Sequence, residues 1–297
     1  MTQTQRSILK QKLAGKEIVV APGIFDMISV RLADRMGFDS LYMTGYGTVA
    51  SYLGEADAGL ATYTDMVNRV SAFCGASKTP IICDGDTGYG GLLNVRHTVR
   101  GYEQAGVTMI QLEDQRIPKK CGHTPNRHIV SMQEMVNKIR VASDARSSAD
   151  FLILARTDAI ASNGLDEALR RAEAYAKAGA DAIFIEAPES VDQMRKIGAA
   201  VDAPLVSNQL HGGKTPILLQ AQLLEMGFAA AIYPAAGLFA AAKALASVYD
   251  DHANDRPVSA PLYSFHNFVE MIGFQDIWDF EAKYADLLKV ETADSVA

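Results

Sequence analysis

Asp84 and Asp86 stand two apart in the run Asp84-Gly85-Asp86-Thr87-Gly88-Tyr89-Gly90, and Glu113 ends a later apolar segment, Ile110-Gln111-Leu112. Residues two apart at a strand end point to the same side. With a third carboxylate the two aspartates make an all-oxygen set suited to Mg²⁺, with Mn²⁺ the alternative. Mg²⁺ keeps several waters, so one or two carboxylates suffice as direct ligands. No cluster of His and Cys is present of the kind zinc takes. Glycines at 85, 88 and 90 let a ligand approach the backbone. The competing reading is a turn whose aspartates cap the helix that follows near Leu92.

A second group follows in Lys119-Lys120-Cys121-Gly122-His123. Cations beside a thiol favour the thiolate, and such a thiol can exchange a proton near neutral pH as a general acid or base. Cys121 is therefore a catalytic candidate, against the plain alternative of a loop cysteine. His123 either orients this loop or lies on the surface; His97 and His128 read as surface or cap residues. Cys74 falls in a helical stretch and Cys83 in an apolar strand, so both read as structural. Arg156 ends an apolar run, where a guanidinium suits bidentate carboxylate binding or an ion pair with a nearby acid. Glu186, after Ile183-Phe184-Ile185, has the same two readings. Asn208 and His211 are either substrate contacts or turn residues, and Gly45 and Gly47 offer backbone N–H groups to a carboxylate.

These residues share a position relative to the elements around them. Strand-like segments are expected at 18–21, 40–44, 80–84, 109–112, 151–156, 182–186, 204–207 and 230–233. Helical segments are expected near 25–36, 63–76, 92–105, 131–145, 165–178, 190–200, 216–226 and 235–250, after a short amphipathic helix over 3–13. Thr62 or Thr64 can cap one helix, and Ser131 with Glu134 reads as a capping box. Gly37, Gly106, Gly179 and Gly227 stand between helix and next strand, where a left-handed residue is wanted. Eight β-α units in about 230 residues imply a closed (β/α)8 barrel of TIM type, with the open doubly wound sheet as the alternative. Such barrels build their site at the C-terminal ends of the strands, and every candidate above lies just there.

The chain of 297 residues reads as one barrel domain over 1–297, with 257–290 a C-terminal helical arm. The arm is rich in aromatics, among them Phe265, Phe268, Trp278 and Phe280, and is expected to bury them against a neighbouring subunit. A net charge of −7 offers no basic face for nucleic acid or an anionic membrane surface. Three cysteines at irregular spacing fit a reducing cytoplasm, and no apolar run reads as a secretion signal or membrane span.

With D-G-D-T-G-Y-G, the strand-end E-D-Q, K-K-C-G-H and A-R-T-D-A in hand, the chain resembles the isocitrate lyase / phosphoenolpyruvate mutase superfamily over residues 15–290. The K-K-C-G-H run and the short length look most like its 2-methylisocitrate lyase and dimethylmalate lyase branch. That resemblance implies Mg²⁺ held by Asp57, Asp84, Asp86 and Glu113, directly or through water. It implies Tyr42, Thr44, Gly45 and Tyr46 beside the carboxylate of an α-keto acid, Tyr42 among the catalytic groups. It puts Arg156, Glu186 and Asn208 in the substrate pocket, and Cys121 on a mobile gate with Lys119, Gly122 and His123. It implies a homotetramer that exchanges C-terminal helices.

The implied reaction is cleavage of a 2-hydroxy di- or tricarboxylate to a 2-oxo acid and a carboxylate, with Cys121 protonating the departing enolate. A carboxyphosphonoenolpyruvate-type phosphonomutase and an oxaloacetate hydrolase or decarboxylase are alternatives on the same site. A barrel that binds a dicarboxylate without turnover is a third reading, which Cys121 and the four acids oppose. The chain departs from the methylisocitrate lyase pattern at two places: Tyr46 stands where glycine is usual, and Leu210-His211 where Thr-Glu is usual. Those positions face the second product, so they bear on the substrate rather than on the reaction.

Overall fold

The computed structural model describes residues 3–124 and 127–287. Eight parallel strands close into one barrel in the order β1 to β8, each paired with its neighbours in sequence and β1 with β8. They are β1 (Val19–Ile24), β2 (Leu41–Met43), β3 (Ile81–Asp84), β4 (Met109–Glu113), β5 (Leu152–Thr157), β6 (Ala182–Ile185), β7 (Leu205–Asn208) and β8 (Phe228–Tyr233). The helices are α1 (Gln3–Leu13), α2 (Met27–Asp34), α3 (Gly45–Leu53), α4 (Tyr63–Ala76), α5 (Leu92–Ala105), α6 (Met132–Ala145), α7 (Ile160–Asn163), α8 (Leu165–Lys177), α9 (Val191–Ala200), α10 (Gln220–Glu225), α11 (Ala236–Ala253), α12 (Phe265–Met271) and α13 (Phe274–Lys283). The chain divides into two compact units, residues 1–242, which hold the barrel, and 243–297.

Two apolar layers organise the barrel. One lies between strands and outer helices, from Ile24, Met43, Ile81 and Ile110 to Tyr175 and Ile197. The other fills the barrel, with Tyr42, Ile82, Met109, Leu154, Phe184, Val206 and Ile232, and Leu9 and Leu13 of α1 join it. Side chains alternate along a strand, so the inward set continues in steps of two. Tyr42 leads to Thr44, Ile82 to Asp84, Leu154 to Arg156, Phe184 to Glu186, Val206 to Asn208 and Ile232 to Pro234. The parity that packs the barrel therefore aims these end residues at its mouth.

The four interelement glycines have φ of 74°, 104°, 110° and 93°, at 37, 106, 179 and 227. Thr62 is the cap of α4, in a reciprocal pair with Asp65. At α6 only Ser131 forms its half, accepting the Glu134 N–H at 3.1 Å. Residues 45–53 form a helix that was not expected, and Thr44 caps it by accepting the Gly47 N–H. Two helical expectations are corrected. The helix near 216–226 shortens to Gln220–Glu225. The C-terminal helical stretch is broken by Gly273, whose φ of 94° ends α12 and starts α13. In the second unit Phe265 is 84% exposed, and Trp278 and Phe280 are also exposed. Residues 288–290 of the expected arm lie outside the described residues.

Candidate active site

A cavity of about 240 Å³ opens at the C-terminal end of the barrel. The strand-end residues Tyr42, Thr44, Asp84, Glu113, Arg156, Glu186 and Asn208 line it, as do Tyr46, Asp57 and Lys119 to Thr124. Leu210, His211 and Phe239 complete the wall. Gly45 and Asp86 are buried at its edge.

The acid side comes from β3, β4 and the segment before α4. Asp84 Oδ1 accepts the Asp86 backbone N–H at 3.0 Å and the Gln111 side-chain amide at 3.2 Å. The same amide group accepts the Tyr42 hydroxyl at 3.1 Å, so Gln111 ties Tyr42 to Asp84. Asp86 adopts a left-handed φ of 49°, which turns its carboxylate back toward the mouth. A Cβ on Gly45 would lie 2.5 Å from Asp84 Oδ2, so only glycine lets the α3 N-terminus approach. Burial raises the Asp86 pKa to about 7 despite Lys119, and lifts Glu113 well above the usual carboxylate range despite Arg156 and Lys119.

Lys119 is not turned toward open cavity. Its ammonium lies 2.6 Å from Asp57 Oδ1 and also pairs with Asp86. Burial disfavours that charge, but Asp86, Asp84, Glu113 and Asp57 together hold the lysine well above its ordinary pKa. Glu113 Oε1 is buried with no hydrogen-bond partner, and the two facing oxygens of Asp57 and Asp86 meet Lys119 only as ion-pair partners. Among the described residues no three His, Cys, Asp or Glu side chains converge as a direct ligand set. The donors are hard oxygens, buried and under-neutralised. They fit a cation that keeps most of its own waters, such as Mg²⁺, and do not fit an all-protein cage.

The adjoining sector of the wall, from β5 and β6, is organised by Arg156. Its guanidinium grips Asp158 with Nε at 2.9 Å from Oδ2 and Nη2 at 3.1 Å from Oδ1. Nη2 also reaches Glu186 at 3.2 Å and Nε reaches Glu113 at 3.4 Å. Burial opposes the Arg156 charge, but Asp158, Glu186 and Glu113 outweigh it. Burial likewise pushes Glu186 up, yet Arg156 and His123 hold its carboxyl at about 2. Asn208 Nδ2 donates to Glu186 Oε2 at 3.3 Å. His123 Nδ1 accepts the Lys214 backbone N–H at 3.2 Å, which leaves the ring proton on Nε2, 3.2 Å from Glu186 Oε1. His123 is thus a loop anchor rather than a free substrate ligand.

Cys121 overturns one expectation. Lys119 turns away to the acids, and burial raises the Cys121 thiol above its ordinary pKa against the His123 backbone and Arg156. Burial thus favours the neutral thiol over the thiolate. Gly122 sits so close behind it that a Cβ there would lie 2.3 Å from Arg156 Nη2.

Several working residues escaped the sequence reading. Asp158, Gln111, Gln115 and Arg127 act through neighbours: Arg127 Nη1 reaches Asp158 Oδ1 at 2.9 Å. The step-of-two parity would have found Gln111 and Asp158; no sequence signal marks Arg127. Asp114 has the opposite parity and points outward. It accepts Thr157 Oγ1 at 2.7 Å, Tyr175 at 2.8 Å and Arg171 at 2.9 Å, tying β4 and β5 to α8.

The sequence profile of the phosphoenolpyruvate phosphomutase family matches residues 9–252. The 2,3-dimethylmalate lyase of Eubacterium barkeri is 45% identical over 280 residues, covering 93% of this chain and 97% of that protein. The chain belongs to the isocitrate lyase / phosphoenolpyruvate mutase superfamily. A solved oxaloacetate acetylhydrolase with 3,3-difluorooxalacetate superposes with a TM-score of 0.90 at 33% identity, over 95% of this chain and 98% of that one. A phosphonopyruvate hydrolase solved with oxalate and Mg²⁺ gives 0.86 at 30% identity, over 96% and 100%. Superfamily members thus keep this barrel while their named reactions differ, so the substrate must be read from the wall of the cavity. No helix among the described residues is long and apolar enough to cross a membrane.

Proposed function

We propose that this superfamily member is a Mg²⁺-assisted carbon–carbon lyase acting on an alkyl-substituted 2-hydroxy dicarboxylate of the 2,3-dimethylmalate class. A bound divalent cation, held by Asp84, Asp86, Glu113 and Asp57 largely through water, would supply a Lewis acid that lowers the pKa of the substrate hydroxyl. The N-terminus of α3 receives the adjoining carboxylate with the backbone N–H groups of Gly45 and Tyr46, the Thr44 N–H being bonded to Ile24 O. Cleavage breaks the bond between the hydroxyl-bearing carbon and its neighbour. The hydroxyl gives its proton to a carboxylate of the acid cluster, the carbonyl of a 2-oxo acid forms, and the bond pair passes to the enolate of the second carboxylate. Arg156 stabilises that charge, and Cys121 gives the enolate its proton.

The observation that carries this reading is the Cys121 thiol in the wall of the same cavity as the acids and Arg156. An enolate formed in that cavity needs a proton donor within it, and Cys121 is one. The substrate class rests on Tyr46, Leu210, Ile232, Pro234 and Phe239, which make that part of the lining apolar or aromatic. It accepts methyl groups, and the 45% identical relative is a 2,3-dimethylmalate lyase. A second reading, oxaloacetate hydrolysis, is supported by the likeness to oxaloacetate acetylhydrolase.

The test is product release from 2,3-dimethylmalate, 2-methylisocitrate and oxaloacetate with Mg²⁺, with and without chelator. Pyruvate from the first is expected, and oxalate with acetate from oxaloacetate as the main products would install the second reading. Cys121→Ser should bind substrate nearly as well but turn over roughly 10²-fold or more slowly, the scale of a lost general acid. Near-normal turnover would remove Cys121 from its role. The same reading extends to a homotetramer with exchanged C-terminal helices, supported by the exposed Phe265, Trp278 and Phe280.

A further inference from the structure

Residues 117–124 carry Lys119, Cys121 and His123 over the cavity, yet the segment's ties to the barrel run through side chains. At its base Arg116 N–H donates to His128 O at 2.8 Å, Val130 N–H donates to Asp114 O at 2.8 Å, and Gln115 forms an antiparallel bridge with Ile129. Those bonds close the neck of the loop. They do not determine where Cys121 lies.

We propose that Gln115 is the positioning residue for Cys121. Its side-chain amide makes two hydrogen bonds to one backbone unit, that of Lys120, immediately before the cysteine. Lys120 N–H donates to Gln115 Oε1 at 2.9 Å, and Gln115 Nε2 donates to Lys120 O at 2.8 Å. The pair imitates one rung of a sheet, with a side chain in place of the missing strand. Gln115 is 1% exposed and lies two residues beyond the end of β4, next to the anchored Asp114, so its reference frame is the barrel itself. Only a primary amide of this length matches both groups: a carboxylate would face the Lys120 carbonyl with no proton to give. Asp57 and Asp86 hold Lys119 on one side and Glu186 holds His123 on the other, through long or rotatable side chains. Gln115 acts on the main chain between them, which is what orients a short cysteine side chain.

The inference rests on Cys121 being the proton donor, but its test does not. Iodoacetamide alkylation of the whole protein, with Cys121 followed by peptide mass, reports how well the loop shields that thiol; Cys74 and Cys83 are buried. Gln115→Ala and Gln115→Glu should both raise the Cys121 alkylation rate by about tenfold or more, the effect of losing two hydrogen bonds of ordinary net strength. Both should lower kcat by a similar factor while leaving KM within about threefold, since the residues facing the substrate's carboxylate end are untouched. Gln115→Glu preserves size and burial, so it keeps the test valid where the alanine variant folds poorly by circular dichroism. Unchanged alkylation in Gln115→Glu would overturn the proposal, whatever happens to kcat. Faster alkylation with unchanged kcat would uphold the positioning role and count instead against Cys121 as the acid.

Discussion

Replacing Arg156 with lysine separates the shape of the cation from its charge. Arg156 makes two bonds to Asp158, at 2.9 and 3.1 Å, and a third contact to Glu186 at 3.2 Å. A lysine ammonium is a point donor on a flexible stem and cannot span both Asp158 oxygens while reaching Glu186. At least one charge-assisted bond is lost, worth roughly 1.5–3 kcal/mol. The lower bound is about 1.5 kcal/mol, or one decade in rate if it falls on the transition state. The charge itself survives, so Asp158, Glu186 and Glu113 remain neutralised, and stability should fall by only about 1–2 kcal/mol. Arg156→Gln removes the charge as well and leaves buried carboxylates uncompensated, which should cost about 3–5 kcal/mol in folding. The assay is coupled pyruvate release for kcat/KM beside urea unfolding of both variants. A kcat/KM for Arg156→Lys within about fivefold of the native enzyme would show that a point charge suffices, and would refute the fork.

Gly122→Ala places a methyl group 2.3 Å from Arg156 Nη2 and 2.8 Å from the Glu186 side chain. Overpacking of this kind costs about 1–3 kcal/mol, so kcat/KM should fall roughly ten- to a hundredfold as the loop is pushed away from Arg156 and Glu186. The pH profile follows from the buried thiol: its pKa is raised, so the acid form persists through neutral pH, and kcat should decline only on the alkaline side of the ordinary thiol value of 9.0. A kcat that falls between pH 7 and 8, and regains a flat profile in Cys121→Ser, would contradict a shielded acid.

The opposite ends of Asp84-Gly85-Asp86 and Glu113-Asp114 show how much could be read in advance. The acids, Arg156 and Glu186 were legible because strand ends in a closed barrel converge on one mouth, whatever the packing. Parity along the strand then sorts Glu113 inward and Asp114 outward to Arg171 and Tyr175. Helix α3 was missed because glycine is a poor helix former; Gly45 and Gly47 are small because Asp84 Oδ2 and the Phe25 side chain lie within 3 Å of where a Cβ would stand.

The order of residues by itself determined the barrel, the hard-oxygen acid set and the presence of a thiol near cations, since each depends on local period and residue type. Tertiary structure decided where charge resides. Lys119 is five residues beyond the end of β4's acidic pair by count, yet its ammonium lies between Asp57 and Asp86. With that cation committed elsewhere, burial governs Cys121 and raises its pKa. Burial, long-range pairing and the grip of Gln115 on Lys120 are properties of three-dimensional neighbours, and sequence spacing carries no record of them.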